Sequence, residues 1–93
     1  MSDIALKQMP GFKKAYKKLP NACKLSVNEA IRCILMNPEV GEEKKGELSG
    51  VYVYKFKVNQ QRMLLAYEWN ATQRLLLALG VHENFYRDLK KKI

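Results

Sequence analysis

One histidine and a pair of lysines are the residues of this chain best suited to chemistry. His82 is the single histidine of the chain. It is the side chain whose ordinary pKa lets it exchange a proton near neutrality without a large shift. Segment Val51–Val58 carries β-branched and aromatic residues throughout and reads as a strand. Strand side chains alternate between faces. Tyr52, Tyr54, Phe56 and Val58 therefore share one face, and Val51, Val53, Lys55 and Lys57 the other. If Asn59 and Gln60 form a two-residue turn, Lys57 lies opposite Arg62 and Lys55 opposite Leu64 on the next strand. Like charges directly across a strand pair are unfavourable, and a phosphate between them reverses the sign of that term. The plain alternative is a solvated sheet face with scattered cations. Ala78 and Gly80 leave open space beside His82 on the same side. Tyr86, one helical turn further on, offers a ring for stacking and a hydroxyl for a phosphate, or simply packs beside Phe85.

The elements that must position these groups follow from pattern and punctuation. Asp3–Lys7 alternates weakly, as a short first strand would. Pro10 stands where proline opens a helix. In Gly11–Leu19 the apolar residues Phe12, Ala15, Tyr16 and Leu19 recur at helical spacing, with Lys13, Lys14, Lys17 and Lys18 opposite. Pro20 stops this helix. A second runs from Asn21 to Met36, with Cys23, Val27, Ala30, Ile31, Ile34 and Leu35 on one face. Asn37-Pro38 ends it, because a residue before proline is pushed out of the α region. The two helices should form an antiparallel hairpin.

After a polar connection, Pro38 to Gly50, come three strands: Val51–Val58, Arg62–Trp69 and Arg74–His82. Short polar turns join them into an antiparallel meander. Met63, Leu65, Tyr67 and Trp69 should face the helices on the second strand. Leu75, Leu77, Leu79 and Val81 should do so on the third, leaving Arg74, Leu76, Ala78, Gly80 and His82 opposite. Glu83–Lys92 reads as a terminal helix carrying Phe85 and Leu89, its closing lysines matched to the helix dipole. The fold class is α+β: a helical hairpin on a small antiparallel sheet.

Ninety-three residues suffice for one domain, residues 1–93, and two cores would each be too small to fold alone. An apolar fraction of 47% excludes a disordered polycation. Seventeen Lys and Arg against nine Asp and Glu give a formal charge of +8, which points to nucleic acid, an anionic membrane or an acidic protein. No apolar run approaches the roughly 20 residues needed to span a bilayer, and Met1–Pro10 has no signal pattern, so a cytoplasmic location is expected. Cys23 and Cys33 sit ten residues apart in one helix, about 15 Å, beyond disulfide reach and without zinc-site spacing.

The helical hairpin, the Asn37-Pro38 stop, Glu47-Leu48-Ser49-Gly50 before a long strand, Tyr54-Lys55-Phe56-Lys57-Val58, and Ala66-Tyr67-Glu68 in the next strand occur in an order that resembles the RelE/ParE family of toxin–antitoxin toxins. Gly80-Val81-His82-Glu83-Asn84-Phe85-Tyr86 is similar to that family's C-terminal signature. The resemblance runs from Phe12 to Leu89. It implies a type II toxin that cuts mRNA in the ribosomal A site, in the manner of the RelE and YafQ branches, without metal or cofactor. Its implied catalytic set is Lys55, Lys57, Arg62, His82 and Tyr86, with Lys13, Lys17, Arg74, Arg87 and Lys90 as further RNA contacts. Leu64 stands where RelE-type toxins carry a phosphate-clamping arginine, so Arg62 would take that role. Glu42 falls near a catalytic glutamate of another branch. Implied partners are a cognate antitoxin, mRNA in the A site and 16S ribosomal RNA, and no membrane. The competing readings are a ParE-like gyrase inhibitor, which needs no acid–base residue, and a non-catalytic nucleic-acid-binding module or inactive homologue.

Overall fold

The computed structural model describes residues 4–81 and residue 85. Strand β1, Ala5–Gln8, leads into α1, Pro10–Lys17, which opens with Pro10 in its first turn and ends with Lys14 and Lys17 in its last. Helix α2, Asn21–Met36, stops at Asn37, whose amide still reaches Cys33 O at 2.8 Å. The Asn37 side chain then accepts from the Glu39 amide and opens a short 3₁₀ turn, Pro38–Val40. Tyr16 Oη donates to Asn28 Oδ1 at 2.8 Å and ties the two helices together.

The remaining strands are β2, Glu42–Glu43; β3, Tyr52–Val58; β4, Gln61–Asn70; and β5, Gln73–Val81. They form one five-stranded sheet in the order β1-β5-β4-β3-β2. The β3-β4-β5 meander is antiparallel as expected. The sheet is mixed rather than wholly antiparallel, because β1 lies parallel to β5, and β2 is a strand that the sequence pattern did not signal. The expected helix 83–92 lies outside the described residues apart from Phe85.

The β3–β4 turn follows from its residues. Asn59 and Gln60 have φ of 49° and 67°, the paired left-handed conformation that joins two twisted strands through two residues. This turn sets Lys57 against Arg62 and Lys55 against Leu64.

Apolar packing occupies both faces of the sheet. Under the helices, Phe12, Val27, Ala30 and Ile34 meet Val58, Met63, Leu65, Tyr67, Leu76 and Leu79. On the reverse face Leu48, Val51, Val53, Leu64, Ala66, Ala78 and Phe85 make a smaller cluster. The expected faces hold along β3 and β4. They fail in the first half of β5. Ala66 pairs with Ala78 but Tyr67 with Leu76, so Leu77 is an extra residue, a β-bulge. Before the bulge every side chain changes sides. Leu76, not Leu77, enters the helix-side core, and Leu77 packs on the reverse cluster.

Candidate functional site

The cations of the reverse face rise from an apolar floor. Val53 and Leu64 are buried beneath them, while Lys55, Lys57 and Arg62 are exposed. Directly opposed strand residues have Cβ atoms about 5 Å apart, so Lys57 and Arg62 present like charges from neighbouring positions on one face. The geometry brings together three of the expected site residues. Among the described residues the carboxylate paired with this cluster is Glu42, whose Oε1 lies 3.9 Å from Lys55 Nζ and 2.9 Å from Lys44 Nζ. The hydrogen bond from Lys44, then the charges of Lys44 and Lys55, hold the Glu42 carboxyl below its ordinary range.

The 38–45 segment that carries Glu42 is pinned from the other side of the sheet. Tyr67 Oη donates to Pro38 O at 2.6 Å and accepts from the Gly41 amide at 2.9 Å. Burial is the main cause that pushes the Tyr67 phenol above its usual pKa. Gly41 is required here for space, since a Cβ would stand 2.6 Å from that hydroxyl oxygen. Lys44 N donates to Val51 O at 2.8 Å, completing the attachment of β2 to β3.

Arg74 requires a correction. As an RNA contact it was expected on the same face as Lys55. The bulge at Leu77 turns it to the helix side, where it is 4% exposed. Its Nε donates to Ile34 O and its Nη2 to Leu35 O, and its Nη1 donates to Asn70 O and Gln73 O. The guanidinium thereby satisfies carbonyls that the end of α2 leaves unpaired, and it lies over the Trp69 ring at 5.7 Å. It is a structural cap and offers no group to RNA. Beside Gly80, Phe85 Cδ1 would lie 3.4 Å from a Cβ; the space expected next to His82 lies outside the described residues. Leu64 is fully buried in the reverse cluster.

Lys13 and Lys17 are exposed on α1, on the helix-covered side. They and the Lys55 cluster stand on opposite sides of the sheet, so one short stretch of nucleic acid does not touch both. An apolar groove of about 450 Å³, lined by residues including Lys18, Leu19, Cys23, Met63 and Val81, opens on the helix side. His82, Tyr86, Arg87 and Lys90 lie outside the described residues. Among those described, no group of His, Cys, Asp and Glu could hold a metal ion, no helix is long and apolar enough to cross a membrane, and both cysteines are free.

A family model described as the ParE-like toxin of type II bacterial toxin–antitoxin systems matches residues 6–90, nearly the whole chain. The chain belongs to this family. Solved structures agree with the fold of this ParE-like toxin. A free-state arginine-to-alanine double mutant of Escherichia coli toxin RelE superposes with a TM-score of 0.75 at 18% identity, covering 100% of this chain and 99% of that one. The RelBE2 toxin–antitoxin complex from Mycobacterium tuberculosis gives 0.72 at 19% identity, over 86% of this chain and 99% of that one. The YoeB dimer from Staphylococcus aureus gives 0.68 at 19%, over 88% and 100%. A search of curated protein sequences returns no match. At these identities the likeness is one of fold, and the toxin's chemistry has to be argued from its own residues.

Proposed function

We propose that this toxin is a ribosome-dependent mRNA endonuclease whose site lies on the reverse face of the sheet. The observation that carries the reading is the opposition of Lys57 and Arg62 with Lys55 one step along the same exposed face. Such a cluster costs stability unless an anion joins it, and an RNA backbone supplies phosphates at strand-like spacing. The ribose 2′-hydroxyl gives its proton to a water as its oxygen attacks the adjacent phosphorus, the bond to the 5′-oxygen breaks, and a 2′,3′-cyclic phosphate and a free 5′-hydroxyl result. Lys55 and Lys57 stabilise the charge that develops on the phosphoryl oxygens. Arg62 holds the phosphate, a role that the buried Leu64 leaves to it. His82 gives a proton to the departing oxygen and Tyr86 stacks on a base. Lys13 and Lys17, on the other side of the sheet, contact a separate segment of ribosomal RNA, and Arg87 and Lys90 add further contacts. A cognate antitoxin, as in the RelBE complexes of similar fold, completes the system.

The test is to add the protein to programmed translating ribosomes and map mRNA 5′ ends. Wild type should cut in the A site, and His82→Ala and Lys55→Ala should each lower the rate by at least about 10²-fold. A second reading, gyrase inhibition without chemistry, is favoured by the ParE-like description of the family and by Leu64 at the clamp position. Intact mRNA together with poisoned gyrase would select it.

A further inference from the structure

Among the described residues Glu42 is the acidic group paired with the cation cluster, and its placement is more tightly fixed than its contribution to the fold explains. It belongs to a two-residue strand and its side chain is 64% exposed. Ion pairs this open add little to stability. Yet the segment bearing it is held by both hydrogen bonds of the buried Tyr67 hydroxyl, by a glycine that leaves room for that hydroxyl, and by pairing of β2 with β3. The short contact of Glu42 is with Lys44 at 2.9 Å, and the contact with Lys55 is loose at 3.9 Å. A carboxylate anchored by one lysine and resting lightly on another can release the second without losing its own partner.

We propose that Glu42 is a built-in counter-ion for Lys55, exchanged for a backbone phosphate when RNA binds, and that Tyr67 is the positioning residue that holds it there. The inference rests on the reading that an RNA backbone lies across Lys55, Lys57 and Arg62. Isolated phosphates and loosely held polyanions meet the repulsion of Glu42 at Lys55. A strand that engages all three cations together outweighs it. Glu42 thus sets how selective the basic face is, in addition to any strength it lends the site.

The test uses the whole protein and a labelled single-stranded RNA whose 2′-hydroxyls are methylated, so that binding is read with cleavage silent. Kd is measured over a range of salt. Glu42→Gln should bind about three-fold tighter than wild type, the scale of one exposed ion pair. The slope of log K against log salt should steepen by about 0.7, the value for one more counterion released from a single strand. Glu42→Asp should return both quantities toward wild type. Tyr67→Phe, which keeps the ring and removes the latch, should shift both in the direction of Glu42→Gln by a smaller amount. In a Lys55→Ala background the effect of Glu42→Gln should vanish.

An unchanged Kd and slope in Glu42→Gln overturns the proposal. So does an equal shift with and without Lys55, which would mark a diffuse charge effect. Failure of both wild type and Glu42→Gln to bind overturns it together with the RNA-backbone reading. The full Glu42 signature in a protein that leaves translated mRNA uncut supports the counter-ion role and overturns the nuclease alone.

Discussion

Under the helices, side chains from both helices and from β3, β4 and β5 pack into one core, and the charged residue buried there, Arg74, gives its donors to four backbone carbonyls. Across the same sheet, a thinner apolar cluster runs out into Lys55, Lys57 and Arg62, with Glu42 as a loose counter-charge. Two arginines show the difference. Arg74 and Arg62 both flank polar turns at strand ends, yet one is consumed by the fold and the other is left over. Charge in a basic protein has meaning only after the partners already supplied by the chain are subtracted. By that measure Lys57 and Arg62 keep positive potential on the reverse face that Arg74 has spent, as the exposed lysines of α1 do on the other.

Substitutions on the two faces should separate stability from binding. The largest stability effect belongs to the helix side: Phe12→Ala should cost about 3–5 kcal/mol in denaturant unfolding, with RNA affinity per folded molecule unchanged. Leu64→Arg, which restores the residue type of a RelE-like clamp, should destabilise by about 3 kcal/mol. Its position is fully buried among Val53, Ala66 and Phe85, so the new cation breaks the floor of the site. Arg74→Met should cost about 2 kcal/mol, because α2 and the β4–β5 turn lose charged donors. It should leave the salt dependence of RNA binding as it was, and a flatter dependence would return Arg74 to the RNA contacts.

Lys57→Ala should do the reverse. It should weaken RNA binding while raising stability by a few tenths of a kcal/mol, since it relieves the repulsion with Arg62, to be read by thermal melting. The smallest effect follows from Glu42. Its folded-state pKa lies below the unfolded value near 4.5, so its pairing contributes above that pH and is lost as the pH falls through the lowered folded value. Melting curves of wild type and Glu42→Gln should therefore differ slightly at pH 7 and converge in acid. Divergence on acidification would contradict the pairing.

Legibility in the sequence followed contrast between neighbours. Proline at positions 10, 20 and 38 bounded both helices, and alternation of aromatic with charged residues fixed the faces of β3. The Asn59-Gln60 turn then carried the register to β4, so Lys55, Lys57 and Arg62 could be grouped without coordinates. The run Leu75-Leu76-Leu77-Ala78-Leu79 offers no such contrast. Every residue in it is apolar, either phase of alternation is acceptable, and a one-residue bulge leaves no trace. The misplacement of Arg74 follows from that ambiguity. Strand β2 was hidden for a different reason: two glutamates carry no periodicity, and what makes them a strand is the distant Tyr67 hydroxyl holding the preceding residues.

The contact between Gly41 and Tyr67 carries a consequence for descent. With a side-chain carbon at 41 barred by an oxygen 2.6 Å away, position 41 cannot enlarge while Tyr67 keeps its place. Related chains that keep tyrosine at the equivalent of 67 should keep glycine at the equivalent of 41, and a larger residue there should accompany a smaller side chain at 67. The constraint thereby links two positions 26 apart in sequence.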